Sequence, residues 1–292
     1  MTFDGHVHAE RIRSIVFSPN SRVFATSSLD KTVKIWDPQT HKLLLILIHD
    51  DSLIDASFSP DGKHVLTLST KSVLFWDAKT GKLLRRFPRG DFNGKLRLSP
   101  DGRFLLGSSY SNVILYDQRT KKRQTMIRHK HFSVMSDWKL MITSNNEVND
   151  RRAILWNLTA GKAVREFQSA KTGIYRPARI SPDGRSIVSS TRIDGKIGVR
   201  VTSLATGKAL TELSLGTTTE FGEIELSSDG RYAALTATRS YGRVWLVSLE
   251  EGKVILSKST GLYGRAAFAP NVKFLVTGKK DGQLQIFSLV AP

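Results

Sequence analysis

The chain has 292 residues, 40% of them hydrophobic, a formal net charge of +18 and no cysteine. That length suffices to bury a large core within one domain, and the lack of cysteine excludes disulfides and thiolate chemistry. No apolar run reaches the roughly 18 residues of a membrane-spanning helix, and Met1 to His6 lacks the basic-then-apolar order of a signal peptide, so a cytoplasmic protein without an integral membrane segment is the expectation.

In chain order, the first elements are an apolar strand around Ile15 and Phe17, a Ser-Pro-Asn turn at Ser18 to Asn20, and a second strand from Val23 to Thr26. A hairpin leads to a third strand, Val33 to Trp36, and a turn to a fourth, Leu43 to Ile48. Short runs of Val, Ile, Leu and Phe bounded by Pro, Gly, Asp and Ser predict strands, and no segment shows a sustained helical period.

This unit then repeats. An Asp or Asn followed two positions later by Lys or Arg occurs at Asn20, Asp61, Asp101, Asp137, Asp183, Asp229 and Asn271, at intervals of 41, 40, 36, 46, 46 and 42 residues. A second register closes the third strand of each unit at Trp36-Asp37, Trp76-Asp77, Tyr116-Asp117 and Trp156-Asn157, and weakens to Thr202-Ser203, Val247-Ser248 and Phe287-Ser288. Repeats of about 40 residues with four strands each are the period of propeller blades. The expectation is an all-β, seven-bladed β-propeller of four-stranded antiparallel blades, a single domain over residues 1–292.

Phe-Ser-Pro-Asp-Gly at Phe58 to Gly62, Leu-Ser-Pro-Asp-Gly at Leu98 to Gly102 and the Trp-Asp pairs resemble the WD-repeat family over nearly the whole chain. The resemblance implies a buried, hydrogen-bonded set in the first unit, formed by the Gly5-His6 pair, Asp30 and Trp36, with His6 as the structural histidine. Later units lack Gly-His, which predicts that apolar packing holds them. In that family the N-terminal segment supplies the outer strand of the last blade, and only Met1 to Asp4 remain here for that role. Either that outer edge is stunted or the chain is a module of a longer protein.

Charge is uneven. Residues 79–130 hold 14 Lys or Arg against three acids, whereas residues 1–78 hold eight bases against nine acids. The excess thus falls on blades two and three. Lys82, Arg85, Arg86, Lys121, Lys122 and Arg123 form the candidate surface for a nucleic acid or another polyanion, read against the alternative that a charge run is ordinary solvated surface.

A different surface is marked by loop length. From the first turn to the end of the third strand the units measure 17, 16, 16, 20, 20, 19 and 17 residues, so units four to six are longer. The extra residues fall in hairpins at about Asn145 to Arg152, Thr191 to Lys196 and Ala237 to Gly242, predicting a raised rim of loops on one face. Tyr175, Arg176, Phe221, Tyr241, Arg243, Tyr263 and Arg265 lie on that rim and are the candidate anchors for a protein or peptide partner. The expected form is a monomeric propeller or a module of a larger assembly.

Catalytic motifs are missing. The recurring Gly81-Lys82, Gly161-Lys162, Gly207-Lys208 and Gly252-Lys253 pairs are never followed by Ser or Thr and read as hairpin turns. His129-Lys130-His131 has no cysteine or carboxylate at helpful spacing, so neither a metal nor a cofactor is expected. By alignment the channel-entry positions are Arg13, Ile54, Gly94, Lys130, Arg176, Gly222 and Gly264, a set with no acid and no neutral base, so catalysis is not expected.

Overall fold

The computed structural model describes residues 3–144, 152–168, 178–217, 221–237, 243–259 and 264–289. β1 (Phe3–His6) precedes blade 1, which comprises β2 (Ile12–Phe17), β3 (Phe24–Ser28), β4 (Thr32–Trp36) and β5 (Leu43–Ile48). Blade 2 follows as β6 (Leu53–Phe58), β7 (His64–Ser69), β8 (Ser72–Asp77) and β9 (Leu83–Pro88), and blade 3 as β10 (Leu96–Leu98), β11 (Phe104–Ser108), β12 (Val113–Asp117) and β13 (Arg123–Ile127). Blade 4 is β14 (His131–Val134), β15 (Leu140–Ser144), β16 (Arg152–Asn157) and β17 (Lys162–Gln168). Blade 5 is β18 (Ala178–Ile180), β19 (Ser186–Ile193), β20 (Lys196–Ser203) and β21 (Ala209–Thr217). Blade 6 is β22 (Phe221–Leu226), β23 (Tyr232–Ala237), β24 (Arg243–Ser248) and β25 (Lys253–Ser259), and β26 (Arg265–Phe268), β27 (Phe274–Gly278) and β28 (Gln283–Ser288) begin blade 7. These seven four-stranded antiparallel sheets are the blades of a seven-bladed β-propeller.

Burial explains the composition of each strand. The second strand of a blade is covered on both faces, so β3 is buried throughout and carries small residues, Ala25, Thr26, Ser27 and Ser28, beside Phe24. Fourth strands lie outermost, and β9 and β25 are almost wholly exposed. In blades 1, 2 and 4 a bulge just before Trp36, Trp76 and Trp156 shifts the register against the fourth strand.

Two compact units hold these sheets. The first contains blades 1, 2 and 7 and most of blade 3, with cores such as Ala25, Val33, Ile35, Leu47, Leu53 and Val65 between blades 1 and 2. The second contains blades 4 to 6, where Val188, Val199, Ile224, Leu235, Trp245 and Val247 pack together.

The Asp/Asn-x-Lys/Arg phrase is turn chemistry, as its spacing predicts. In each unit the carboxylate or amide oxygen of its first residue accepts the backbone N–H of the basic residue, at 3.0 Å for Asn20 and Arg22, Asp61 and Lys63, Asp101 and Arg103, and Asp229 and Arg231. Asp137, Asp183 and Asn271 do the same for Lys139, Arg185 and Lys273. The basic side chain is therefore incidental to the turn. Gly81, Gly161, Gly207 and Gly252 have φ between 61° and 74°, left-handed positions of hairpin turns, which His41 and Lys121 occupy in blades 1 and 3.

Blade 7 is completed from the start of the chain. β1 pairs antiparallel with β28, with Phe3 opposite Ile286 and His6 opposite Gln283. The outer strand thus has four residues and extends to His6.

The predicted structural histidine needs correction. His6 lies in β1, and the imidazole that meets Asp30 belongs to His8, at 2.8 Å. The Gly-His dipeptide falls in the strand paired with β28, and His8, two residues later, is the buried histidine of blade 1. Nor is blade 1 alone: His49 and His129 play corresponding parts in blades 2 and 4.

Candidate functional site

Three blades carry a buried polar triad at the same place. In blade 1 Trp36 Nε1 donates to Thr26 Oγ1 at 2.9 Å, and that hydroxyl lies 2.7 Å from His8 Nε2. Asp30 then accepts from His8 Nδ1, from Ala9 N at 3.1 Å and from Thr32 N at 3.0 Å. Burial lowers the His8 pKa despite the opposing pull of Asp30. Burial would raise the Asp30 carboxyl, but hydrogen bonds from Thr32 and His8 hold it below its usual value.

Blade 2 has the triad without the aspartate. Trp76 Nε1 donates to Thr67 Oγ1 at 3.0 Å, His49 Nε2 is 2.9 Å from the same hydroxyl, and His49 Nδ1 is 3.0 Å from the Leu47 carbonyl. Burial pushes the His49 imidazole down to about 4. In blade 4 Trp156 Nε1 and His129 Nδ1 meet Thr143 Oγ1 at 3.0 and 2.9 Å. His129 is thus a core histidine. In blade 3 Tyr116 and Gly107 replace the Trp and Thr, and the Phe92 ring fills the space beside Gly107.

First strands of neighbouring blades are laced by polar side chains. Ser14 Oγ accepts the Ala56 N–H at 3.0 Å, and Asp55 Oδ2 accepts the Leu96 N–H at 2.9 Å and Arg97 Nη1 at 3.1 Å. Arg179, buried, pairs with Glu225 at 2.9 Å. Acids do therefore stand on the innermost strands, beside the positions read as channel entries, but Asp55 and Glu225 serve as interblade ties. Among the described residues no group of three His, Asp or Glu could hold a metal ion.

The basic surface of blades 2 and 3 is exposed at all six predicted positions, Lys82, Arg85, Arg86, Lys121, Lys122 and Arg123. Four of the six have local partners. Arg86 donates to Asp50 at 2.8 Å, Arg123 pairs with Asp91, Arg85 stands 5.3 Å from the Phe75 ring centre, and Lys121 stands 5.8 Å from that of Phe87. A phosphate would compete with these contacts, each weak because it is exposed.

Of the predicted rim anchors, Tyr175, Arg176, Tyr241 and Tyr263 lie outside the described residues, as does the side chain of Phe221. Arg243 is exposed and donates to Ser257 Oγ at 2.9 Å. Arg265 is half-buried and donates through Nε to the Arg13 carbonyl at 2.7 Å, which ties blade 7 to blade 1.

One of the three long hairpins is described, and it is not a loop. Its added residues extend β19 and β20 to eight residues each, with Ile193 opposite Lys196. Asp194 and Gly195, at φ 50° and 75°, form the two-residue turn that suits a twisted ribbon. The Asp-Gly pair between Ile193 and Lys196 was the available sequence signal for it. The other two hairpins, 145–151 and 238–242, lie outside the described residues. At the opposite end of blades 5 and 6 there is a groove of about 510 Å³ lined by Asp183, Leu210, Asp229, Arg231 and Glu250.

Residues 1–37 and 41–77 match the sequence model of the WD domain, G-beta repeat. Residues of blades 1 and 2 thus match WD repeats, within a chain that forms a seven-bladed β-propeller. Similar curated proteins are Coronin-7 of Mus musculus, 43% identical over 63 residues that cover 21% of this chain and 7% of that one, and a coronin-like protein of Saccharomyces cerevisiae, 36% identical over 63 residues covering 21% and 10%. Eukaryotic translation initiation factor 3 subunit I of Phaeosphaeria nodorum is 33% identical over 66 residues, 23% of this chain and 20% of that one. The match therefore spans a fifth or less of these relatives' length. Kuenenia stuttgartiensis hydrazine synthase superposes with a TM-score of 0.80 over 99% of this chain and 98% of that one, at 14% identity, a likeness of fold.

Proposed function

We propose that this protein is a non-enzymatic scaffold that binds a protein or peptide partner on the face carrying the elongated hairpins of blades 4 to 6. The observation that carries the reading is the β19–β20 ribbon, which lengthens both strands and ends in the exposed turn Asp194-Gly195. A rigid ribbon presents a partner with a surface that needs little ordering on binding. Tyr175, Arg176, Phe221, Tyr241, Arg243, Tyr263 and Arg265 are its proposed anchors, Arg265 being held through Nε by the Arg13 carbonyl. A relative named as a subunit of an initiation factor, a multi-subunit context, agrees with a scaffold role. The test is partner capture by the wild type and by alanine variants at Tyr175, Phe221 and Tyr241. Undiminished capture by the triple variant refutes the chosen face.

The second reading is polyanion binding at blades 2 and 3, favoured by the local excess of bases and weakened by the contacts of Arg85, Arg86, Lys121 and Arg123. RNA filter binding at two salt concentrations decides it, since phosphate contacts weaken steeply with salt. Retention at low salt that is lost on charge reversal at Lys121, Lys122 and Arg123 would establish this reading. No retention excludes it.

A further inference from the structure

Outer strands of a propeller present unpaired backbone groups, and charged residues normally guard such edges. Among the described strands six outer ones carry a charge: Asp4 in β1, Arg85 and Arg86 in β9, Arg123 in β13, Lys162, Arg165 and Glu166 in β17, Glu212 in β21, and Lys253 and Lys258 in β25. β5 carries none. Its sequence is Leu-Leu-Leu-Ile-Leu-Ile, with Leu44 49%, Ile46 48% and Ile48 75% exposed.

The backbone of β5 is set for pairing. The His49 N–H donates to the Lys31 carbonyl at 2.9 Å, and Leu47 and Leu45 stand opposite Val33 and Ile35 of β4. By the alternation of an antiparallel ladder, Ile46 and Ile48 direct their N–H and C=O groups away from β4, to the open edge. Leu45 and Leu47 turn their side chains toward Gly81 of blade 2, leaving Leu44, Ile46 and Ile48 without cover.

Charge at the two ends identifies the occupant. Lys42 precedes β5, and Asp50, with its side chain 73% exposed, follows it after His49. An antiparallel copy of the same strand, centred on Ile46, places Ile46 against Ile46, Leu44 against Ile48, and Lys42 against Asp50 at both ends. The centre of this register, Ile46 and Ile48, carries the backbone groups that face the open edge, whereas beyond the bulge the Lys42 carbonyl accepts the Asp37 N–H at 3.0 Å and Lys42 contributes its side chain alone. Asp50 already accepts from Arg86 through Oδ2 and keeps a second oxygen for the incoming lysine.

We propose that β5 is a self-association edge, pairing antiparallel with β5 of a second copy about a two-fold axis through Ile46. Such an isologous contact closes at a dimer and does not propagate.

Sedimentation velocity over a rising concentration series of the full chain tests it. The expected result is a weight-average mass that climbs from 32.5 kDa toward twice that value. Ile46→Lys, which sets two ammonium groups face to face, abolishes the rise. Lys42→Asp and Asp50→Lys each weaken it, and the two together restore it. These charge variants lie on exposed positions, so they decide the question even if Ile46→Lys proves poorly folded. A mass fixed at 32.5 kDa throughout overturns the proposal and leaves the edge to a strand from a different protein. Association that survives Ile46→Lys in a folded variant places the interface elsewhere, and failure of the double swap to restore association overturns the register.

Discussion

A Cβ atom on Gly282 would stand 2.0 Å from the carbonyl oxygen of His8. The Gly282 carbonyl in turn accepts the N–H groups of Val7 and His8 at 3.1 and 3.2 Å. This turn of blade 7, at φ 81°, thereby clasps the segment that leads into blade 1 and positions the imidazole that reaches Thr26.

Gly282→Ala therefore meets both a left-handed backbone and a clash with another backbone atom. It should lower stability by roughly 3 kcal/mol, read as a drop in the urea midpoint. Gly102→Ala serves as the comparison, because its φ is 70° but nothing lies within 4 Å of its added Cβ. That substitution should cost about 1 kcal/mol.

Thr67→Val removes the hydroxyl shared by His49 and Trp76 while keeping side-chain shape. Leaving the indole N–H and the imidazole without their buried partner should cost roughly 2 kcal/mol in chemical denaturation. Thr26→Val should cost at least as much, since the Asp30 bonds depend on the same orientation of His8.

His49 gives a pH signature. Its folded pKa, about 4, lies below the ordinary histidine value, so between those two values the unfolded chain binds a proton that the folded one does not. Its contribution is fully present above about pH 6.5 and is lost as pH falls toward 4, amounting to roughly 3 kcal/mol. Melting followed from pH 7 to pH 4 should show this loss in the wild type. In His49→Asn the starting stability should be lower and the slope over that window shallower.

Asp55 is the tie between blades 2 and 3. Asp55→Ala leaves the Leu96 N–H without its acceptor and the Arg97 guanidinium without its counter-charge, and should destabilise by roughly 3 kcal/mol. Arg97→Met, which removes the opposite charge but retains bulk, should cost less, because Asp55 still accepts the Leu96 N–H.

What was legible in the sequence was local. The interval between Asp-x-Lys phrases gave seven four-stranded units because the turn closes within two residues, Asp61 Oδ1 to Lys63 N, and depends on nothing distant. His8 escapes the Gly-His pattern, which marks His6 two residues earlier. A regular count would have found it, since His8 stands seven residues before Ile15 as His49 stands seven before Ala56. The Asp55–Arg97 and Arg179–Glu225 pairs bridge residues 42 and 46 apart, so only the register of one blade against the next brings them together. Loop length in unit five was read correctly as an excess, but its Asp194-Gly195 turn marks a strand extension. On the basic surface, sequence gave the charges but not their neighbours: that Arg86 meets Asp50 depends on the outer edges of blades 1 and 2.

The scaffold reading is tested most directly by site-specific photo-crosslinking. One photoreactive residue is placed at position 194, the tip of the β19–β20 ribbon, and in a separate protein one is placed at position 122, in the turn between β12 and β13. The account predicts a discrete protein adduct from position 194 that is lost on alanine substitution at Tyr175, Phe221 and Tyr241, and no such adduct from position 122. An adduct formed from position 122 alone, whether to protein or to RNA, would contradict it.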